Sequence, residues 1–351
     1  MGVLALDQVR DGLRGNPTIY PQNLSIARGQ FLFLRLQRAE IAAASFLDDR
    51  ILTPQTDGRW LGFDEVESAL QGATMARPLH FIFHAGHVGS TLISRLLDEM
   101  GGVLGLREPL PLRVLAEAFD DLGAAHALIG EPQAQAVSRW LCLLWARGYD
   151  DTRTVIVKAT SSASRLAGRL LDTAAHARAL FLNLKAEPYL ATLLAGQNSY
   201  IDLRGHGPER YRRLARLGAE LRKPLYELSL GELAALTWLA ETLTQQAAQR
   251  EHSGRVLTVD FDNFLTEPGA AMQSICAHLG VDAPPGKLTT IADNPVFRRY
   301  SKAPETPYSP ALRQQILAQA RAQHGDQIRR GLVWLEEAAR SSPIAAQALS
   351  A

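Results

Sequence analysis

The chain has 351 residues, with 37 Lys and Arg against 36 Asp and Glu, a formal net charge of +1. That balance excludes a global attraction to nucleic acid or an anionic membrane, so any anion chemistry must come from a local cluster. The length suits one large α/β domain with an appendage, or two ordinary domains, and the two cysteines, Cys142 and Cys276, lie in Leu/Ala-rich helical patterns that predict buried reduced thiols.

At the N-terminus, MGVLALDQVRDGLRG lacks a basic n-region and gains charge within its first ten residues, so neither a signal peptide nor a myristoylation site is expected. No apolar stretch approaches the ~18 residues of a membrane span, and a cytoplasmic protein is expected. Residues 1–75 read as a small α+β appendage: a strand-like FLFLRL at 31–36, a helical stretch around AEIAAASFLDDR, and a polar connector TPQTDGRWLG.

From 76 to 309 the pattern changes to apolar runs alternating with amphipathic helices: LHFIFH, GVLGL, TVIVK, ARALFLNL and RVLTVDF, each followed by a helical segment. Runs that are apolar on both faces and separated by helices predict an α/β fold, a mostly parallel central sheet with helices on both faces. A helical region is expected from Leu110 to about Arg147, and another over 208–250, whose Leu236, Leu239 and Leu243 make one apolar stripe. The tail, 310–351, reads as one or two amphipathic helices without a chemical signature. Trp60, Trp140 and Trp145 are candidates for a pocket lining, although aromatic residues at helical spacing are more often core.

The chemistry concentrates in HFIFHAGHVGSTLISRLLDE, residues 80–99. An apolar strand runs into Gly86-His87-Val88-Gly89-Ser90-Thr91, where two glycines let the backbone approach an anion and two hydroxyls open a helix whose N-terminal amides are unpaired. The same turn also fits a strand-to-helix connection with Ser90 and Thr91 as simple caps. No lysine stands where a nucleoside triphosphatase loop has one, which weakens an ATP-hydrolysing reading. His84-x-x-His87 is half of a metal site that no nearby Cys or carboxylate completes, and no metal is expected.

The strand, the turn and the Leu-rich helix resemble the phosphosulfate loop of sulfotransferases, which use 3′-phosphoadenosine 5′-phosphosulfate (PAPS). The later run LTVDFDNFLTEPGAAMQSICAHLGV (257–281) is similar to that family's late strand, acidic turn, Pro-initiated helix and closing Leu-Gly. In motif spacing the chain looks most like the tyrosylprotein sulfotransferase branch, because Glu108 follows His87 by 21 residues and Lys158 ends a strand in TVIVKAT. The resemblance implies PAPS as sulfuryl donor, Glu108 as the base, Lys158 and His87 as cations around the transferring group, and residues 86–91 as the 5′-phosphate cradle. Glu108 also fits a helix N-terminal carboxylate before Pro109.

Two positions depart from the family. His87 stands where Lys or Arg is usual, replacing a permanent cation by a group that titrates near pH ~6.5. On the 3′-phosphate side, Leu184 aligns with the family's arginine and Thr192 with its serine, with Lys185 one place off. Arg299 and Lys302, in VFRRYSK, and Arg204 are further candidate cations there, although a solvated basic loop fits the former equally. The acceptor is expected to be a small molecule or a peptide bearing a hydroxyl or amine, shaped by residues 1–75 and 110–147; no nucleic-acid or membrane partner is indicated. A P-loop small-molecule kinase and a noncatalytic nucleotide-binding protein of the same fold stand as alternatives.

Overall fold

The computed structural model describes residues 2–196, 198–300, 303–307 and 309–350. Residues 2–70 contain strands β1 (Gly2–Val3), β2 (Ile19–Ser25), β3 (Gln30–Arg35) and β4 (Asp57–Gly62) with helices α1 (Leu6–Gly12), α2 (Arg38–Ala43) and α3 (Phe63–Leu70). The strands form one sheet in the order β1-β4-β3-β2, antiparallel except for β1 with β4. Two sequence expectations change here. The connector TPQTDGRWLG contributes β4, because Leu61 packs inward and the segment pairs with β3 from Gly58 to Gly62. The helix expected over AEIAAASFLDDR stops at Ala43, and Asp48 then caps a separate short turn, Asp49–Ile51, through the Arg50 amide.

The central sheet is built from β5 (Leu79–His84), β6 (Val103–Arg107), β7 (Thr154–Lys158), β8 (Ala179–Asn183) and β9 (Val256–Asp260). Its order is β6-β7-β5-β8-β9 and every pairing is parallel, as the doubly apolar runs predict. Between the strands lie α4 (Ser90–Asp98), α5 (Leu110–Asp120), α6 (Glu131–Trp145), α7 (Ala167–Thr173), α8 (Ala186–Ala195), α9 (Ser199–Gly205), α10 (Gly207–Arg216) and α11 (Leu230–Glu251). After β9 come α12 (Phe261–Thr266), α13 (Pro268–Leu279), α14 (Pro285–Thr289), the hairpin β10 (Arg299–Tyr300) and β11 (Ala303–Pro307), then α15 (Pro310–Ser341) and α16 (Pro343–Leu349). Among the described residues, no helix is long and apolar enough to cross a membrane.

Period-two alternation along β5 divides the interior. Leu79, Phe81 and Phe83 join a core that runs through the N-terminal sheet, α5, α6 and α7, whereas Ile82 joins a second core with α4, α8, α11 and α13. Trp140 and Trp145 belong to the first of these cores and Trp60 packs against it, so all three serve packing. Both cysteines are buried and unbonded, and burial pushes their thiols up, to about 12 at Cys142 and about 11 at Cys276.

The N-terminal region, residues 2–75, is fastened to the rest of the chain by two buried arginines. Arg107, at the end of β6, donates to the carbonyls of Ile41, Ala42 and Ala44 and pairs with Asp98. Arg147 donates to the carbonyls of Gly12, Leu13, Asn16 and Ile19, tying the end of α1 and the loop into β2 to the end of α6. Its burial pulls the guanidinium down to about 9. The order of the sheet places the turn after β5 at a switch point: the chain first builds outward on the β7 side, then on the β8 side, which leaves a crevice at the carboxyl end of β5.

Candidate active site

The turn after β5 opens with His84, whose two ring nitrogens are both engaged. Nδ1 accepts from the Gly86 amide at 3.1 Å and Nε2 lies 2.9 Å from the Ala159 carbonyl, so the ring is the neutral tautomer with hydrogen on Nε2. This fixes the entry of the loop and removes His84 from any His84/His87 metal pair. The Tyr189 hydroxyl, reaching from α8, donates to the Ala85 carbonyl at 2.5 Å, and the Ser164 hydroxyl donates to the His84 carbonyl at 3.1 Å. Burial raises the Tyr189 phenol well above its ordinary range, so it stays a donor.

Gly89 then turns with φ of 71°, a left-handed conformation, and starts α4. A Cβ at this position would lie 1.9 Å from the Phe261 ring, so the loop and the aromatic side chain at the start of α12 touch with no room for a larger residue. Phe261 was not singled out from sequence; it sits one residue past Asp260, whose carboxylate caps α12 through the Asn263 amide.

A cleft of about 280 Å³ opens on this side, lined by residues 87–92, Thr192, Ala195, Gly196, Phe261 and the first turns of α15. Its ionisable lining residues are His87 and Arg313, both basic. The buried Thr91 hydroxyl lines the cleft and has no hydrogen-bond partner among the described residues. An unsatisfied buried hydroxyl beside helix-terminal amides fits a phosphate or sulfate oxygen as its missing partner. Thr192 is also here, its hydroxyl donating to the Pro188 carbonyl at 2.7 Å.

Lys185 and Arg299 are exposed and are absent from the linings of this cleft and of the one described next, as is the exposed Arg204. Lys302 lies outside the described residues. Leu184 is buried in the core. A permanent cation that does line the cleft, Arg313, belongs to the tail that carried no signal in the sequence; its guanidinium donates to Asp262 at 2.8 Å and covers the Phe261 ring at 5.3 Å.

A second cleft, of about 260 Å³, lies across the loop and is lined by Gly86, His87, Glu108, Thr160, Ser161 and Tyr189, with Phe46 and Arg50 from the N-terminal region and Asp202 and Arg210 from α9 and α10. Glu108 and Lys158 stand at the ends of the neighbouring strands β6 and β7. The Lys158 ammonium meets the Glu108 carboxylate at 2.5 Å, and the Glu108 amide donates to the Lys158 carbonyl at 2.6 Å. Lys158 has no exposed side-chain surface and Glu108 is 8% exposed, so the carboxylate alone reaches the cleft.

His87 lines both clefts. Among the described residues, His87 (φ 56°) and Glu108 (φ 51°) are the non-glycine positions with positive φ. Left-handed backbone costs a residue with a Cβ on the order of 1 kcal/mol and persists where surrounding structure imposes it, frequently at functional sites.

No family model and no curated protein matches the chain. Among solved structures it is similar to the sulfotransferase domain of the curacin biosynthetic pathway, at 11% identity and a TM-score of 0.39 over 72% of this chain and 99% of the other. It is also similar to the sulfotransferase STF9 of Mycobacterium avium, at 15% identity and a TM-score of 0.37 over 91% and 96% of the two chains. A third is a retinol dehydratase complexed with androsterone and the inactive cofactor PAP, at 10% identity and a TM-score of 0.35 over 73% and 81%. The α/β architecture with a helix-flanked parallel sheet rests on the chain's own strand pairings, and the tyrosylprotein branch in particular gains no support.

Proposed function

We propose that the chain is a sulfotransferase-like enzyme that moves a sulfuryl group from PAPS to a hydroxyl or amine of an acceptor. The observation that carries this reading is that His87 lines both clefts, one holding the glycine-rich loop and the N-terminus of α4, the other the carboxylate of the Glu108–Lys158 pair. Transfer between two ligands needs such a shared boundary.

In this reading the amides of residues 86–91 and the Thr91 hydroxyl hold the 5′-phosphate, and Phe261, Ile316 and Leu317 offer an apolar wall to the base. PAPS, when bound, supplies the sulfuryl group and leaves as adenosine 3′,5′-bisphosphate. Glu108 receives the proton of the acceptor's hydroxyl or amine. Lys158 fixes the carboxylate from behind and places one positive charge next to the reacting centre, and His87 in its imidazolium form adds a second where negative charge develops.

The test is turnover by the full chain with PAPS and a panel of phenols, sugars and amines, followed as release of adenosine 3′,5′-bisphosphate. Wild-type turnover that drops about 10²–10⁴-fold in Glu108→Gln is expected; equal rates in the two proteins would remove Glu108 from the chemistry. The buried Leu184, at the place of the family's arginine, favours a second reading, a noncatalytic nucleotide-binding protein of the same fold. Tight PAPS binding without turnover on any acceptor is the result that reading predicts.

A further inference from the structure

The acceptor's chemistry can be read from the second cleft, an inference that rests on its assignment to the acceptor side. The N-terminal region contributes Phe46 and Arg50 to this cleft. Arg50 is held in an unusual way for an exposed side chain. Asp48, itself mostly covered, accepts from Nε at 2.8 Å and from Nη2 at 2.5 Å, and the Phe46 ring lies 3.4 Å from the guanidinium carbon. The Arg50 side chain is nevertheless 56% exposed.

One face and one edge of the guanidinium are therefore occupied from within the protein, and among the described residues Nη1 makes no hydrogen bond, which leaves that side for a ligand. The hydrogen bond that Arg50 donates to Asp48 raises the Arg50 pKa first, and the charge of Glu108 contributes too, which places the cation within electrostatic reach of the base. An exposed ion pair of this kind adds little to folding stability. A guanidinium whose plane is set in advance is, by contrast, suited to planar recognition of a carboxylate, phosphate or sulfate.

Among the described residues, two other charged side chains lining the cleft, Glu108 and Arg210, have ion-pair partners of their own. Glu108 faces Lys158 at 2.5 Å, and Arg210 donates to Asp202 at 2.9 Å. We propose that the acceptor is a hydroxyl or amine compound that also carries an anionic group, and that Arg50 binds this group so that the nucleophile is presented to Glu108. Arg50 is thus a specificity-determining residue supplied by the N-terminal region.

Matched pairs that differ only in charge test this. Binding of 4-hydroxyphenylacetate and its amide, and of glucuronate and glucuronamide, is measured calorimetrically on the full chain saturated with adenosine 3′,5′-bisphosphate. In at least one pair the acid is expected to bind about 10-fold more tightly than the amide, with the preference falling below about 3-fold in Arg50→Met and lying between in Arg50→Lys. Denaturant midpoints equal to wild type show that both variants fold. A preference that persists in Arg50→Met, equal affinities within each pair, or binding of none of the four compounds overturns the proposal. Because the readout is binding, it is independent of whether sulfuryl transfer occurs. Charge-selective binding without turnover would sink the reaction and keep the anionic ligand, and turnover with charge-blind binding would do the reverse.

Discussion

The Glu108 carboxylate and the Lys158 ammonium meet at 2.5 Å in a nearly water-free position, and the same two residues are joined by a backbone hydrogen bond of 2.6 Å. Two neighbouring parallel strands thus end in a single unit of base and counter-ion. Breaking a buried pair by removing one partner leaves an uncompensated charge, which costs about 3–5 kcal/mol, whereas removing both charges together is often close to neutral. Lys158→Met is therefore expected to lower the unfolding free energy by an amount in that range, and the double variant Glu108→Gln/Lys158→Met to recover most of it. Chemical denaturation of the three proteins is the measurement; a double variant no more stable than Lys158→Met contradicts the pairing.

His87 stands where the reaction calls for a cation, and imidazole is charged only when protonated. Turnover is expected to fall as pH rises above the ordinary histidine range, while His87→Arg keeps activity and loses the alkaline decline. The pH profile of kcat decides this: an unchanged slope in His87→Arg removes His87 from the cationic role.

Gly89 touches the Phe261 ring in a left-handed turn. Gly89→Ala combines backbone strain with overpacking and should destabilise the protein by about 2–4 kcal/mol. It should also reduce nucleotide affinity, since the loop amides lose their aim. A thermal unfolding curve and a binding isotherm for adenosine 3′,5′-bisphosphate read both effects.

His80 gives stability a defined pH dependence. Burial, followed by the charges of Arg178 and His278, lowers its pKa to about 4, and its Nδ1 accepts from the Arg178 amide at 3.0 Å. The folded state keeps this ring neutral, whereas the unfolded chain takes up a proton below the ordinary value of about 6.5. Its contribution is therefore present in full above about pH 6.5 and is lost as pH falls through 4, on the order of 3 kcal/mol in total. His80→Asn retains an acceptor without the titration, so its denaturation midpoint should vary less between pH 7 and pH 4.5 than that of the wild type.

Arg107 closes the joint between the N-terminal region and β6. Replacing it by methionine strips three carbonyls of their donor and leaves Asp98, whose pKa burial already raises, without its counter-ion. A loss of about 3–5 kcal/mol is expected in urea unfolding, and so is weaker acceptor binding, because the lost side-chain bonds hold the carbonyls of Ile41, Ala42 and Ala44 just ahead of Phe46 and Arg50.

Much of this protein was legible in local pattern. Period-two apolar runs separated by helices dictate a parallel sheet covered on both faces, since a strand with two apolar faces must be buried on both. A glycine-rich turn between strand and helix dictates where unpaired amides point. The spacing of Glu108 and the strand-final place of Lys158 marked two candidate residues, and the sheet order brings the strands that end in them side by side.

Only the tertiary structure decided what surrounds them. Arg313 reaches Asp262 across 51 residues of chain, and the short segment carrying Asp48 and Arg50 is docked on the end of β6 by the Leu47 amide, which donates to the Arg107 carbonyl. Neither residue sits in a local pattern, because its position is set by packing between elements far apart in sequence. Lys185, adjacent to the expected position in the chain, is exposed away from both clefts, because contiguity in sequence does not set the direction of a side chain at a helix start. Short-range periodicity determines which elements form, and the burial of their apolar faces against one another determines which distant side chains share a cleft.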